Sequence, residues 1–391
     1  MQEQNINRLH WFDGIKGLSC LFIFFHHFML GGFPASFYGS ASPSYLYGLD
    51  SFLASCPFLG IIVNGNFFVH LFILISGYVI AWQTLQMEKE KVGLFSFKRY
   101  LKLLFPLAVC ALVYYVPHIY NTIQTGGGGI VKETHKYLRS LFIGIPFYGD
   151  SYFYGPFWML NYILLGGFFV SLIASLTWIL DPKKTLFVPL AFVLALYLSL
   201  STQNAHWASA LLGCALCLFN TFYEVSLKKT LLLILPAALF FGSFPSGLTP
   251  QNIFSFFILP INPEVSAAYW HSFAAFLFIL FASNSTAAQK LFSKNAFKTL
   301  GKISLWVYIF HGTAIEWTAG ILNLAGVSFQ LGGEGYVLKR ALHFALSSVL
   351  LILMSAAAAK YLTPLGNRCV LKIIKAMSPK PAQTDDKATL H

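Results

Sequence analysis

The sequence predicts an all-α polytopic integral membrane protein of about ten transmembrane helices, with both termini in the cytoplasm. Three observations carry this. Of 391 residues, 57% are apolar and only 10% charged, against about 25% charged in an ordinary soluble domain. Too few polar side chains remain to cover a solvated surface, which excludes a water-soluble globule and a disordered chain. Apolar runs near the ~20 residues needed to cross a bilayer recur along the whole chain. Finally, the surplus of positive charge, a formal +12, is distributed unevenly between the loops. In a soluble protein it would point to nucleic acid; here it reads as the positive-inside rule, and no nucleic-acid partner is expected.

The first run, Gly17–Phe28, follows Asp13 and Lys16, carries His26 and His27 and lacks a small-residue cleavage site, so it reads as an uncleaved span rather than a signal peptide. The others lie at 66–85, 95–117, 153–179, 185–201, 205–223, 229–244, 268–283, 303–323 and 337–359. Those at 185–201, 229–244 and 268–283 are short and are expected to tilt, break or extend into their flanks. Residues 245–263 hold Pro245, Pro250, Pro260 and Pro263 and read as a re-entrant or external loop. With the N-terminus inside and ten alternating spans, every Lys and Arg except Lys132, Lys136, Arg139, Lys339 and Arg340 falls on the cytoplasmic side. The outer segment 31–65 has no Lys or Arg.

No internal repeat is visible. Gly126–Gly129 reads as a flexible turn, since no phosphate-loop Lys follows it. Residues 1–360 read as one transmembrane domain and 361–391 as a short basic cytoplasmic tail whose polar end, from Pro379, is expected to be disordered. Six cysteines form no framework in exposed loops, so no disulfides are expected. Cys214-x-x-Cys217 has a metal-like spacing but lacks neighbouring His or acid and reads as packing; no metal site is expected.

Ionisable residues inside a span are costly and therefore functional candidates. Lys16 and His27 are eleven residues apart, which at 100° per residue is about 20° past three full turns, so they share a helix face, with His27 about 16 Å further along. Asp13, three residues before Lys16, joins the same stripe. A deep imidazole on a stripe with an acid and a base suits removal of a proton from a hydroxyl. The structural alternative is that Asp13 caps, Lys16 snorkels and the histidines pack against polar groups. His26, about 100° round, faces another helix or supports its neighbour. Lys98 and Lys102 (i, i+4) and Arg99 and Lys102 (i, i+3) cluster at the inner mouth of the third span, as anion ligands or as topology-setting charge. Trp158 reads as an interface anchor or a sugar platform.

The stretch FDGIKGLSCLFIFFHHF (Phe12–Phe28) resembles the start of the membrane-bound acyltransferase 3 family, which shows Asp-Gly-Leu-Arg-Gly and a His eleven residues after the Arg. Asp13, Gly14, Gly17 and His27 match, with Lys16 in place of Arg. Four more stretches follow in order. FFVHLFILISGYVI (Phe67–Ile80) is similar to the second-span pattern at Ser76, Gly77 and Tyr78. FKRYLKLLFP (Phe97–Pro106) is similar to an Arg-x-x-Arg segment at Arg99 and Lys102. GPFWML (Gly155–Leu160) resembles a Leu-Trp-Thr-Leu run at Trp158. LGKISLWVYIFHG (Leu300–Gly312) is similar to a Gly-x-Ser-Tyr-x-x-Tyr-x-x-His segment at Gly301, Ser304, Tyr308 and His311. The departures are Lys16, which loses the bidentate fork of Arg, His70 where many members have Asp, and Ile163 where an acid often stands five residues after the Trp.

The resemblance implies a membrane O-acyltransferase that moves an acyl group, usually acetyl, from cytoplasmic acetyl-CoA or another acyl-CoA to a hydroxyl of a cell-envelope polysaccharide or lipid-linked sugar. The setting it implies is the bacterial cytoplasmic (inner) membrane. It implies His27 as general base or acyl relay, with Asp13 orienting the stripe and Lys16 steadying the thioester. Lys98, Arg99, Lys102, Ser76 and Tyr78 would bind the donor, and His26, His70, Trp158 and His311 would line the cavity. It implies no permanently bound cofactor; the acyl-CoA is a substrate. Its partners would be the bilayer, the glycan acceptor, and either a second copy of the chain or a separate outer-side transferase. The rival classes are a transporter or flippase for a glycan or lipid precursor, against which the missing inverted repeat counts, and a non-catalytic membrane scaffold.

Overall fold

The described part of each of the ten apolar runs lies mainly on a helix in the computed structural model, which describes residues 2–125, 129–150, 155–180, 186–202, 204–223 and 230–377. The ten are α1 (Gln2–Gly32), α2 (Gly65–Gln86), α3 (Val92–Thr125), α4 (Trp158–Leu180), α5 (Phe187–Thr202), α6 (Ala205–Phe222), α7 (Leu231–Gly242), α8 (Pro263–Asn284), α9 (Asn295–Leu324) and α10 (Tyr336–Ala357). Among the described residues no strand is present, and seven helical stretches are long and apolar enough to cross a membrane: those of α1, α2, α3, α4, α6, α8, and α10 with its extension to Met377. The helices α5 and α7 are apolar but shorter. The helix α9 is long but carries Lys298, Lys302 and Glu316. The chain is an all-α integral membrane protein.

In hydrocarbon a helix satisfies its own backbone, and helices associate by close packing rather than by escape from water. The contacts follow that rule. The helix α2 is central: Phe67 through Ile75 are all buried, and it packs against α1, α4, α6 and α8. It meets α6 through Gly77, whose missing side chain admits the Ala210 carbonyl, and through Gly213, which admits that of Leu74. The most extensive helix pair is α1 with α9, which run parallel. A Cβ on Gly17 would lie 2.6 Å from the Gly301 nitrogen, and one on Gly301 would meet the Asp13 backbone.

Residues 33–63 fold over the far end of α1 through short helices at Ala35–Tyr38 and Leu49–Ser55. Asp50 is fully buried there and accepts from the Tyr45 nitrogen (3.0 Å), the Ser51 nitrogen (3.1 Å) and the Ser44 hydroxyl. The proline-rich segment 245–263 lies against this cap, with a 3-10 turn at Ile253–Phe257. The chain continues past residue 360 as a π-helical turn (Ala358–Leu362) and an amphipathic helix α11 (Thr363–Met377), whose Gly366 packs on Phe105 of α3. Most of the Gly126–Gly129 run, Lys183, Lys184, Lys228, Lys229 and the end of the tail lie outside the described residues.

Gly301→Val should push α1 away from α9 and cost about 1–3 kcal/mol by overpacking. On the same helix a Cβ at Gly320 meets nothing within 4 Å. Thermal unfolding of the detergent-solubilised protein should therefore show a clear drop for Gly301→Val and little change for Gly320→Val.

Candidate active site

Two features share the wall formed by α1 and α9. The first is a cavity of about 280 Å³, lined by Lys16 of α1, Ser76 of α2, Arg99 and Lys102 of α3, Ile163 of α4 and Ser304 of α9. The Lys16 ammonium pairs with Asp13 at 2.7 Å, so that stripe is held as an ion pair along one helix face. Arg99 and Lys102 have no acidic partner among the described residues. Ile163 lies beside them in the wall, where a carboxylate would have supplied a counter-charge. Ser76 and Ser304 donate to the carbonyls of Phe72 and Gly301, each at 2.9 Å, which leaves their oxygens able to accept. Two unmatched cations in a partly apolar recess are costly unless an anion neutralises them. Guanidinium and ammonium groups are suited to phosphate oxygens.

The second feature lies further along α1. The His27 ring stacks on that of His311 of α9 at 4.9 Å between centroids and 29° between planes, and meets His26 edge-on at 5.4 Å. The parallel α1–α9 packing creates this stack, because ten residues separate the partners on each helix, Gly17 to His27 and Gly301 to His311. His311 Nδ1 donates to the Tyr308 carbonyl at 2.5 Å and His26 Nδ1 to that of Val63 at 2.7 Å. Each ring is thereby held in place, with Nε2 the basic nitrogen when neutral. No hydrogen bond from the described residues engages His27, which leaves both its nitrogens for a substrate. Between cavity and stack stands an aromatic column: Phe72 lines the cavity, the Phe72 and Tyr308 rings are 6.3 Å apart, and Tyr308 is 5.7 Å from His311.

The remaining sequence-derived candidates are spread more widely. Lys98 and Tyr78 are not on the cavity wall. Tyr78 is buried against Phe12 at 4.6 Å and accepts from Asn220 at 3.4 Å. Asp13 acts on the cavity through Lys16. His70 and Trp158 belong to a separate buried cluster that the sequence did not announce. There His70 stacks on His206 at 4.3 Å, and its Nδ1 lies 2.8 Å from the Ser209 hydroxyl, which is 2.9 Å from that of Ser272. Trp158 packs edge-on against His206 at 4.8 Å. His271 lies 6.0 Å from His70, and its Nε2 donates to the Phe244 carbonyl at 2.8 Å. Spans far apart in sequence supply this cluster, so no local spacing marks it.

A family model described as an acyltransferase domain matches residues 9–360. The chain belongs to the acyltransferase 3 family. The match covers nearly the whole chain and includes every residue of the cavity and of the histidine stack. No curated protein and no solved structure matches it. As a member of this family the chain is a membrane acyltransferase.

The cavity charge can be tested at Ile163. Ile163→Glu should cancel one of the two unmatched charges and weaken binding of coenzyme A, used as a polyphosphate probe, by about tenfold, while Ile163→Gln keeps the volume and the affinity. Calorimetric titration of the purified protein reads both.

Proposed function

We propose that the protein is an O-acyltransferase that takes an acyl group, acetyl in the first instance, from a cytoplasmic acyl-CoA and delivers it to a hydroxyl of a cell-envelope glycan or lipid-linked sugar. The observation that carries this reading is the pairing, along α1, of a recess holding two cations without an acidic partner among the described residues and a stacked imidazole to which none of those residues hydrogen-bonds. In this reading the N- and C-termini are cytoplasmic, ten helices span the bacterial inner membrane, and the basic recess opens to the cell interior. That orientation puts the recess on the side where acyl-CoA is made and agrees with the charge distribution of the loops.

Arg99 and Lys102 hold the coenzyme A phosphates, and Lys16, steadied by Asp13, guides the pantetheine arm past Ser76 towards Tyr308 and the stacked histidines. His27 accepts the proton of the acceptor hydroxyl as that oxygen attacks the thioester carbonyl. The new C–O bond forms, the C–S bond breaks, and the proton passes from His27 to the departing thiolate. His311, fixed by the Tyr308 carbonyl, supports the His27 ring face to face and keeps it in line with the incoming thioester.

Removing a general base commonly costs about 10²–10⁴ in rate. His27→Ala should lose transfer of label from acetyl-CoA to envelope glycan on that scale while the protein stays folded and inserted. Label incorporation by the purified, reconstituted variant measures this, and transfer at the wild-type rate would remove His27 from the mechanism.

A further inference from the structure

At the far end of α1, beyond the histidines, the loops 33–63 and 243–262 enclose a second cleft of about 500 Å³. Three ties hold it open. Gly39 (φ +56°) sits so close to Leu248 that a Cβ there would approach its side chain to 2.7 Å. Gly247 is closed against Phe37, and the Asn252 amide donates to the Ser55 carbonyl at 2.6 Å. The cleft is a built feature, pinned at both ends by contacts between segments about 200 residues apart in sequence.

Its chemistry is opposite to that of the basic recess. The lining carries Ser40, Ser51, Ser55, Thr249, Gln251 and Asn252, beside the half-exposed ring of Tyr38. The two loops contain no Lys, Arg, His or Glu, and their one Asp, Asp50, is buried and occupied by the Ser44, Tyr45 and Ser51 donors. The side-chain hydroxyls of Ser40, Ser51 and Thr249 and the amide of Gln251 make no hydrogen bond to the described residues. Such a lining offers donors and acceptors in both senses with no formal charge, together with one aromatic face. It offers no cation to strengthen the binding of a phosphate or a carboxylate, and it matches the alternating hydroxyls and C–H faces of a neutral saccharide. Its volume falls within the range of small-molecule sites.

A chain of ring contacts also joins the cleft wall to the proposed base. Phe37, which closes its wall at Gly247, meets Tyr38 at 5.0 Å on one side and the His26 ring at 5.5 Å on the other, and His26 adjoins His27. We infer that the cleft between Tyr38–Ser55 and Gly247–Asn252 binds an uncharged saccharide, and that the acceptor therefore approaches His27 from the end opposite the donor. This assignment rests on the O-acyltransferase reading and names the acceptor subsite within it. The two substrates then meet at His27 from opposite ends of α1, with Phe37 as the partition on the acceptor side.

The test is saturation-transfer NMR on the full-length protein in nanodiscs, without acyl donor. Neutral glucose, galactose and mannose hexamers are compared with an oligogalacturonate of the same length. The expected result is signal transfer to at least one neutral hexamer and none to the oligogalacturonate. Thr249→Trp, an exposed position that fills the cleft, should abolish the signal. Ser51→Ala combined with Gln251→Ala should weaken binding by about fivefold for each hydrogen bond lost. Absence of neutral-hexamer binding, equal binding of the charged oligomer, or binding unchanged in Thr249→Trp would each overturn the assignment. His27→Ala should leave saccharide binding intact, so a failure of acyl transfer and a failure of this subsite are read in separate experiments.

Discussion

The backbone approach of α1 and α9 is the constraint on which the rest depends. Gly17 and Gly301 remove the side chains that would hold these helices apart, and Gly14 admits the Phe292 carbonyl just ahead of α9. In a bilayer, where burial of apolar surface gives no net drive, such contact is what makes one helix adhere to another. With the two axes parallel and in register, the levels of the molecule follow. Asp13 and Lys16 come beside Ser304 at the basic recess, and His27 comes face to face with His311. A single-residue slip of one helix on the other would rotate the pair by about 100° and separate both features at once.

Charge then divides the molecule along α1. At one end Arg99 and Lys102 sit in a recess with Ile163 where an acid would have quenched them. At the other end the two loops that form the cleft, 33–63 and 243–262, carry no cation, and their single carboxylate is consumed internally. In the proposed mechanism an imidazole between two such environments would face a polyanionic donor on one side and a neutral acceptor on the other. This separation is a physical means of keeping two substrates apart until they meet. The departure at position 163 fits the proposed donor site, where the phosphates of an acyl-CoA would supply negative charge.

The elements were legible in the sequence because hydrocarbon demands long apolar runs, and every such run became a helix. The Lys16–His27 stripe was legible because helical period fixes which residues of one element share a face. The cationic pair Arg99 and Lys102 was legible through spacing and resemblance. What was not legible depended on contacts between elements. Helices that are apolar on every side give no local signal of which face meets which neighbour. The buried set of His70, His206, His271, Ser209 and Ser272 therefore could not be assembled from spacing. Nor could the sequence tell that Tyr78, in register with a family motif, turns to Phe12 and Asn220 instead of the recess. The neutral cleft escaped for a related reason: Ser, Thr, Asn and Gln in loops look like ordinary solvated surface until the fold brings two such loops together.

An electron cryomicroscopy map of the protein bound to a non-hydrolysable thioether analogue of acetyl-CoA would show where donor and base meet. The phosphates should lie against Arg99 and Lys102, the arm should run past Ser76 and Tyr308, and the reactive carbon should come close enough to the His27 imidazole for a hydroxyl to bridge them, about 3–3.5 Å from each. An analogue seated with its acyl end away from His27, or with its phosphates at the opposite end of α1, would contradict that arrangement.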